Sequence, residues 1–182
     1  WLLPLDKKTS MHNVTYTLRD ALYTTSTLIT FFKHSRTVGM ANLAQLVNVL
    51  PLIKTSENNA FATAIFFPFV LFRQMQPYLL HTQCSCETFD TKRISINMSA
   101  HEKVPYLDEL ATISEDGRCL SVVLVNRFPI NQMKVHIRLE NADGVVKNAL
   151  RITAASPSSF NDSTHPNRVH ISDLTSIQKE SD

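Results

Sequence analysis

Glycine is scarce in this sequence, with only three among its 182 residues. A phosphate-cradling loop and the nucleophile elbow of a serine hydrolase both require closely spaced glycines, because the backbone there turns sharply beside the ligand or the nucleophile. Neither pattern occurs, and no two histidines have the spacing of a zinc-protease motif. The motifs therefore exclude phosphate-loop nucleotide binding, serine hydrolysis of the elbow type and zinc proteolysis.

Cysteine is scarce too, since Cys84, Cys86 and Cys119 are the only three. An odd number with one pair separated by a single residue does not make a disulfide framework, which favours a reducing compartment. Zinc at Cys84 and Cys86 would need two more ligands, and only His81 is near in sequence, so we expect no metal and no cofactor. The apolar start, residues 1–5, lacks the basic leader of a signal peptide, and a cytoplasmic location is predicted.

The sequence also lacks a strong excess of one charge and a long hydrophobic run. The 18 basic and 16 acidic side chains are mixed along the chain, so no basic stripe is available for a phosphate backbone. The longest apolar stretch, residues 60–72, is shorter than the roughly 20 residues that a membrane span needs. With 43% hydrophobic residues, the chain should fold as a globular protein that binds neither nucleic acid nor a membrane.

A helix is predicted directly after Thr17. Apolar residues recur at helical spacing over 18–32, and Asp20 is positioned to complete a capping box with Thr17. Cationic side chains within residues 33–36 suit the negative end of the helix dipole. Residues 37–41 are then β-branched and apolar, so a short buried strand is expected to follow the helix at once, as in an α/β barrel.

Two further apolar segments follow. Residues 42–53 are apolar at most positions from Leu43 onward, but Gln45 and Asn48 lie inside this apolar run, and their two amides need hydrogen-bond partners. Residues 60–75 form a long run without β alternation, which predicts a second buried helix, bent at Pro68.

From Arg93 onward the pattern changes to short alternating runs, which predict β-strands. Asp116 and Gly117 supply the positive φ of a tight turn, so the runs on either side of them should form a hairpin. Several strands joined by turns, without helices between them, predict an antiparallel sandwich and a domain boundary near residues 80–92. The predicted strands are residues 94–98, 107–113, 120–126, 134–139 and 149–153.

No pair of acids in the sequence suggests sugar hydrolysis by this chain alone. A retaining glycosidase holds two carboxyl groups about 5 Å apart across the scissile bond. None of the sixteen acids follows a buried barrel strand. Six of them are assigned instead to a helix cap at Asp20, to turns at Asp116 and Asp143, and to hairpin or strand-edge surface positions at Asp108, Glu109 and Glu115.

Five runs of residues carry a resemblance: Tyr16 to Leu22, Met40 to Val49, Ala64 to Phe69, Pro105 to Asp108 and Leu124 to Arg127. In this order and at similar spacing they resemble the C-terminal part of the α-L-arabinofuranosidases of glycoside hydrolase family 51. The resemblance covers roughly residues 16–171. Any single run would be weak, but five in register are specific.

The resemblance implies a (β/α)8 barrel joined to a jelly-roll sandwich, which hydrolyses terminal α-L-arabinofuranosyl residues of arabinan or arabinoxylan with retention. Residues 1–80 would be an α/β remnant of the barrel, with its last helices and eighth strand. Residues 81–182 would be an antiparallel all-β, jelly-roll-like sandwich that lacks its last strand. On this mapping 18–34 is the seventh barrel helix, 38–41 the eighth strand and 60–75 the last helix. Both catalytic glutamates of the family precede the matched region, so no catalytic residue is expected here.

One substrate-binding residue is implied by the resemblance, Gln45, which would lie at the mouth of the barrel beyond the eighth strand. The alternative for Gln45 is a structural amide, the role expected of Asn48. Residues 106–108 and 126–127 are expected to pack the sandwich and not to catalyse. The implied partner is an arabinofuranosyl-containing oligosaccharide or polysaccharide, and the full-length family is commonly homo-oligomeric.

A second hypothesis is a non-catalytic carbohydrate-binding or assembly module. Such a module should expose coplanar aromatic rings along its strands. Residues 93–171 contain only Tyr106, Phe128 and Phe160 as aromatics, and these do not form a row in the sequence. The sequence therefore favours the arabinofuranosidase.

Overall fold

The computed structural model describes residues 14–96, 98–128 and 130–178. The apolar start at 1–5 and the final residues 179–182, on which the expected loss of a last strand partly depends, lie outside the described part.

The described chain is mostly β. Helix α1 spans Leu18–Lys33 and helix α2 spans Phe66–Phe72. Within the described ranges neither helix has the length and apolar character needed to cross a membrane. The strands are β1 Ile53–Ser56, β2 Asn59–Ala62, β3 Tyr78–Leu79, β4 Thr88–Phe89, β5 Val104–Pro105, β6 Leu107–Ile113, β7 Leu120–Asn126, β8 Leu150–Thr153 and β9 His170–Asp173.

The chain divides into two compact units that alternate along the sequence. Unit 1 contains the described residues of 1–21, 42–70 and 135–182, and unit 2 contains those of 22–41 and 71–134. The boundaries of these units do not coincide with the predicted domain boundary between residues 80 and 81. The division into a barrel end and a sandwich therefore stays a prediction.

Helix α1 begins where the sequence predicts. The Asp20 carboxylate accepts hydrogen bonds from the Thr17 backbone N–H at 2.7 Å and from the Thr17 hydroxyl at 2.8 Å. The N–H groups of Leu18 and Arg19 donate to backbone carbonyls within the loop 157–159, at 2.9 and 3.1 Å. These bonds satisfy donors that the first turn of a helix cannot pair internally. The helix predicted after Thr17 is confirmed.

Two antiparallel hairpins lie in unit 1. Strands β1 and β2 pair from Ile53 opposite Ala62 to Ser56 opposite Asn59. Strands β8 and β9 pair from Leu150 opposite Asp173 to Thr153 opposite His170, so the strand predicted at 149–153 is confirmed. The buried core of this unit consists of Tyr16, Ala21, Leu52, Ala64, Ile65 and Val169.

Asn161 is a buried polar residue of unit 1, with 6% of its surface exposed. Its Nδ2 donates to the carbonyls of Ala62 at 3.0 Å and Val169 at 2.9 Å, and its Oδ1 accepts from the Val169 N–H at 2.7 Å. One side-chain amide thus satisfies three backbone groups and joins the end of β2 to the residue before β9.

The hairpin of β6 and β7 is the main feature of unit 2. The two strands pair in full register, from Leu107 opposite Asn126 to Ile113 opposite Leu120. Gly117 adopts a φ of 71°, in the left-handed region that glycine reaches without a Cβ clash. The strands predicted at 107–113 and 120–126, and the turn between them, are confirmed.

One face of this hairpin is covered within unit 2. The buried side chains of Leu110 and Val125 pack against Ile29 of α1, and Phe32 and Phe72 meet edge to face at 5.4 Å beside them. Strand β3 pairs with the other edge of β6, which gives the order β3-β6-β7. Strand β7 is therefore an edge strand among the described residues.

Residues 38–41, predicted as the eighth barrel strand, form no strand. A β-strand exists only where a neighbour takes up its backbone hydrogen bonds, and none of the described strand pairs includes this segment. Gly39 and Met40 are exposed instead.

The helix predicted over 60–75 is wrong in its first part. Residues 60–62 belong to β2, because β1 lies close enough along the chain to pair with them. The helix begins only at Phe66, so Pro68 lies in its first turn, where the missing N–H costs no hydrogen bond. Pro68 therefore is not a bend within a long helix.

Two predicted strands are not formed. The described residues of segment 94–98 make only an isolated bridge between Ser95 and Met98, and residues 134–139 have no strand structure. Ile94 and Ile137 are 73% and 59% exposed. Alternation gives these segments an apolar face, but none of the described sheets includes them.

Thr24 and Thr63 allow a matched test of buried hydroxyls. Both are 3% exposed, but the Thr24 hydroxyl has no hydrogen-bond partner, whereas the Thr63 hydroxyl donates to the Pro51 carbonyl at 2.9 Å. We expect Thr24→Val to stabilise the protein by about 1 kcal/mol, because it removes an unpaired donor at nearly constant shape. Thr63→Val should destabilise it by about the same amount. Urea unfolding measures both changes, and a destabilised Thr24→Val variant would contradict the expectation.

The Asn161 amide is expected to be critical for stability. Asn161→Ala leaves three buried backbone groups without partners and should cost on the order of 3 kcal/mol. The control is Asn59→Ala, whose amide donates to the Ser163 carbonyl at 3.3 Å and accepts from the Ala60 N–H at 2.9 Å. Both bonds are exposed to water, so this variant should change stability by less than about 0.5 kcal/mol. Thermal unfolding compares the two variants, and equal losses would refute the role of Asn161.

Candidate functional site

Gln45 lies in a segment without regular structure. Its side chain is exposed and makes no hydrogen bond to another described residue, and the peptide bond that precedes it is cis. Two residues later, Val47 forms a β-bridge with Ile53. Whether Gln45 contacts substrate stays a prediction.

Asn48, by contrast, holds the neighbouring loop together. Its Oδ1 accepts from the Thr55 N–H at 2.8 Å and its Nδ2 donates to the Thr55 hydroxyl at 2.7 Å. Its own N–H donates to the Ile53 carbonyl at 3.0 Å. Its φ of 62° lies in the left-handed region that asparagine tolerates better than most residues. The structural role expected of Asn48 is confirmed.

Asp108 is not at the surface, which corrects the sequence prediction. It is 8% exposed in β6, and its carboxylate forms a salt bridge with the guanidinium group of Arg127. Arg127 also donates to the Pro105 carbonyl at 3.3 Å. A buried carboxylate requires such a partner, because an isolated charge out of water is strongly unfavourable. The prediction failed because the compensating cation lies on the neighbouring strand end, 19 residues away.

Glu109 is half-buried and also paired. The Lys33 ammonium donates to one carboxylate oxygen at 2.8 Å, and the Thr82 hydroxyl donates to the other at 2.7 Å. Partial burial alone would raise the pKa of Glu109, but the hydrogen bonds from Lys33 and Thr82 hold this pKa below its ordinary value. A general acid for glycoside cleavage needs the opposite shift.

Two further acids have local roles. Asp20 caps α1, and the Asp116 carboxylate accepts from the Ser114 hydroxyl at 2.6 Å and the Arg118 N–H at 3.1 Å. The cap and turn assignments are confirmed for these two residues. Over the described ranges, no group of three or more His, Cys, Asp or Glu side chains could hold a metal ion.

Three aromatic rings come together in unit 2, which the sequence did not reveal. The Tyr106 ring lies 4.6 Å from that of Phe89 and 4.4 Å from that of Phe128, with interplanar angles of 31° and 37°. The rings stack on one another, and all three residues are half-buried. The segments 106–108 and 126–127 are thus joined by the salt bridge between Asp108 and Arg127. Tyr106 packs against Phe89 and Phe128.

Unit 1 contains an open cleft of about 620 Å³. Its one guanidinium group, from Arg168, lies over the Phe160 ring and pairs with Asp162 at 3.1 Å. Hydrogen bonds lower the pKa of Asp162 to about 2, and the bond from the Thr164 hydroxyl contributes most. No acid lines the cleft, so it has no carboxylate pair for hydrolysis. The lining residues are Thr153, Ala154, Ala155, Ser156, Ser158, Ser159, Phe160, Arg168 and His170.

Comparison with known proteins gives a consistent family. The model of the α-L-arabinofuranosidase C-terminal domain matches residues 4–182. A probable α-L-arabinofuranosidase C of Aspergillus clavatus is 33% identical over 133 residues, which are 72% of this chain and 26% of that protein. The intracellular exo-α-(1→5)-L-arabinofuranosidase of Halalkalibacterium halodurans is 30% identical over 131 residues, covering 71% of this chain and 25% of that protein.

Solved structures show the same relationship. The thermostable GH51 α-L-arabinofuranosidase of Thermotoga petrophila has a TM-score of 0.83 at 30% identity, over 92% of this chain and 36% of that chain. A family 51 α-L-arabinofuranosidase of Bifidobacterium longum has a TM-score of 0.79 at 26% identity, over 90% of this chain and 32% of that chain.

The chain spans about a quarter of the length of the curated relatives it matches and about a third of the solved ones. The family model nevertheless covers nearly all of it. The chain belongs to the α-L-arabinofuranosidase C-terminal domain family and corresponds to the C-terminal part of a glycoside hydrolase family 51 α-L-arabinofuranosidase.

Proposed function

We propose that this chain is part of an enzyme that removes terminal α-L-arabinofuranosyl residues from arabinan or arabinoxylan with retention of configuration. The observation that carries the proposal is the family match over residues 4–182. The partner is an arabinofuranosyl-containing oligosaccharide or polysaccharide. The full-length enzyme is proposed to be a homo-oligomer that binds neither nucleic acid nor a membrane.

The proposal assigns no catalytic carboxylate to this chain, which is inactive when isolated. In support, the half-buried and buried acids described here are already engaged, Asp108 by Arg127 and Glu109 by Lys33. A retaining mechanism needs two carboxyl groups about 5 Å apart, one of them protonated at the working pH. The pKa of Glu109 is lowered by its hydrogen bonds to Lys33 and Thr82, so this carboxyl does not meet that requirement.

The finer fold is also a proposal: residues 1–80 end a (β/α)8 barrel and residues 81–182 form a jelly-roll-like sandwich. The apolar outer face of β7 supports the sandwich. Leu120, Val122 and Leu124 alternate with the covered Val123 and Val125 and are 37%, 37% and 39% exposed. A second sheet packed on this face would remove these side chains from water.

Gln45 is the proposed substrate contact. Its exposed amide has both donors and its acceptor available to the hydroxyl groups of a furanose, since no described residue uses them. The alternative for Gln45 is a structural role in the loop. In this loop Asn48 has that role, because its amide bonds to Thr55.

An intracellular location is part of the proposal. Two relatives, from Halalkalibacterium halodurans and Bacillus subtilis, carry the name intracellular exo-α-(1→5)-L-arabinofuranosidase. The three cysteines of this chain are free thiols, as a reducing compartment would maintain them.

The rival function is a carbohydrate-binding or assembly module, and the aromatic residues speak against it. Tyr106 is stacked with both Phe89 and Phe128. Rings that stack on each other offer a sugar less free face than rings side by side in a plane would.

An activity assay tests the main proposal. The isolated chain should release no 4-nitrophenol from 4-nitrophenyl α-L-arabinofuranoside. A chimera in which this chain replaces the matched part of the Halalkalibacterium halodurans enzyme should release it, whereas the same enzyme without that part should not. Turnover by the isolated chain would refute the assignment of catalysis to residues outside it. Binding of arabinan by the isolated chain, with an inactive but folded chimera, would favour the module.

The role of Gln45 is tested in the same chimera. Gln45→Ala should lower kcat/KM on the order of 10- to 100-fold, the loss of one or two substrate hydrogen bonds, with little change in thermal stability. Asn48→Ala is the matched control and should lower the melting temperature, because it frees the Thr55 backbone and hydroxyl. A Gln45→Ala chimera with full activity would rule out the substrate contact.

A further inference from the structure

A short parallel pairing fixes the backbone directly after Gln45. The next three residues lie along the edge of β1 that β2 does not occupy, and Val47 forms a parallel bridge with Ile53. The Ile53 N–H donates to the Leu46 carbonyl at 3.1 Å, and the Asn48 N–H donates to the Ile53 carbonyl at 3.0 Å. In a parallel pair, one residue bonds in this way to the two residues that flank its partner. The chain therefore leaves Gln45 in a fixed direction.

The Asn48 side chain continues this pairing after the backbone has turned away. The Val49 N–H donates to the Val47 carbonyl at 2.8 Å, which closes a tight turn with Asn48 at its centre. The next backbone group on the same edge of β1 belongs to Thr55, because alternate residues of a strand face the same edge. There the Asn48 amide takes the place of a backbone, accepting from the Thr55 N–H at 2.8 Å and donating to the Thr55 hydroxyl at 2.7 Å.

The turn at Asn48 needs this support. Its φ of 62° is unfavourable for a residue with a side chain, and such a conformation persists where the surrounding structure determines it. The two bonds to Thr55 and the bond to the Ile53 carbonyl have that effect. Of these three bonds, the one to the Thr55 hydroxyl can be removed by a side-chain substitution in β1 that leaves the backbone bonds in place.

We infer that Thr55 is a positioning residue for Gln45, an inference that rests on the proposed substrate contact of Gln45. Thr55 holds Asn48, Asn48 ends the pairing with β1, and this pairing fixes the backbone from which the Gln45 amide reaches a furanose. An amide that is already oriented binds sugar hydroxyl groups without first being ordered, whereas a mobile one loses binding free energy to that ordering. Thr55 acts through Asn48 and not by contact with the substrate.

The position of Thr55 separates this role from a purely structural one. Thr55 is exposed, and its hydroxyl bond to Asn48 is exposed to water as well, so this bond contributes little to the stability of the fold. Valine has nearly the shape of threonine and suits a β-strand equally well. Thr55→Val should therefore reduce activity while the melting temperature stays almost unchanged.

Activity of the chimera described above tests the inference. Thr55→Val should lower kcat/KM by about three- to tenfold, the equivalent of one lost hydrogen bond. Thr55→Ser keeps the hydroxyl and should retain kcat/KM within about twofold. The matched control is Ser56→Ala on the same strand, whose hydroxyl donates to the Asn59 carbonyl at 3.4 Å and not to Asn48. An equal loss in Ser56→Ala, or full activity of Thr55→Val, would overturn the inference.

A double-mutant cycle shows whether Thr55 acts through Gln45. In a Gln45→Ala chimera the orientation of this side chain no longer matters, so adding Thr55→Val should change kcat/KM by less than about twofold. A further loss as large as that of Thr55→Val alone would mean that Thr55 acts elsewhere, and the inference alone would fail. A fully active Gln45→Ala chimera would instead remove the substrate contact itself, and the inference with it.

A measurement on the full chain without turnover applies if the chimera is inactive. Nitrogen-15 relaxation should give the Gln45 backbone an order parameter of about 0.85, typical of rigid backbone, and a lower value in Thr55→Val. An order parameter below about 0.6 in the unsubstituted chain would show that the pairing does not fix Gln45. Equal values in the unsubstituted chain and in Thr55→Val would also contradict the inference.

Discussion

A polar group that leaves water must find a partner inside the protein, and both units of this chain are organised around that constraint. In unit 1, the Asn161 amide takes up three backbone groups that no strand pairs. In unit 2, the Asp108 carboxylate is compensated by Arg127, which also reaches the Pro105 carbonyl. Each contact joins segments that are distant in sequence or lie on different strands, so hydrophobic packing around it acquires one fixed arrangement.

The same constraint determines the surroundings of the paired acid Glu109. A carboxylate that is paired to stabilise the fold is held in its charged form, as the lowered pKa of Glu109 illustrates. A glycosidase acid must instead be kept protonated by an apolar or like-charged environment. Structural pairing and acid catalysis therefore require opposite surroundings, and the surroundings of Glu109 are of the structural kind.

Sequence reasoning succeeded where the signal was local and failed where it was not. The cap of α1 and the turn at Gly117 depend on residues within a few positions of each other, and both were predicted. The burial of Asp108 depends on Arg127, and the ring stack around Tyr106 depends on Phe89 and Phe128. Periodicity along one segment does not reveal these contacts between distant segments. The exposed Gln45 carries no local signal, and its proposed role comes from the family resemblance.

The failed strand predictions have one physical cause. Alternation gives a segment an apolar face, but a strand forms only when a second backbone accepts its hydrogen bonds. Residues 120–126 have that neighbour in β6 and form a strand, whereas residues 134–139 alternate as regularly and have none among the described strand pairs. Their exposed Ile137 and Leu139, like the outer face of β7, are therefore surfaces whose pattern calls for a covering layer.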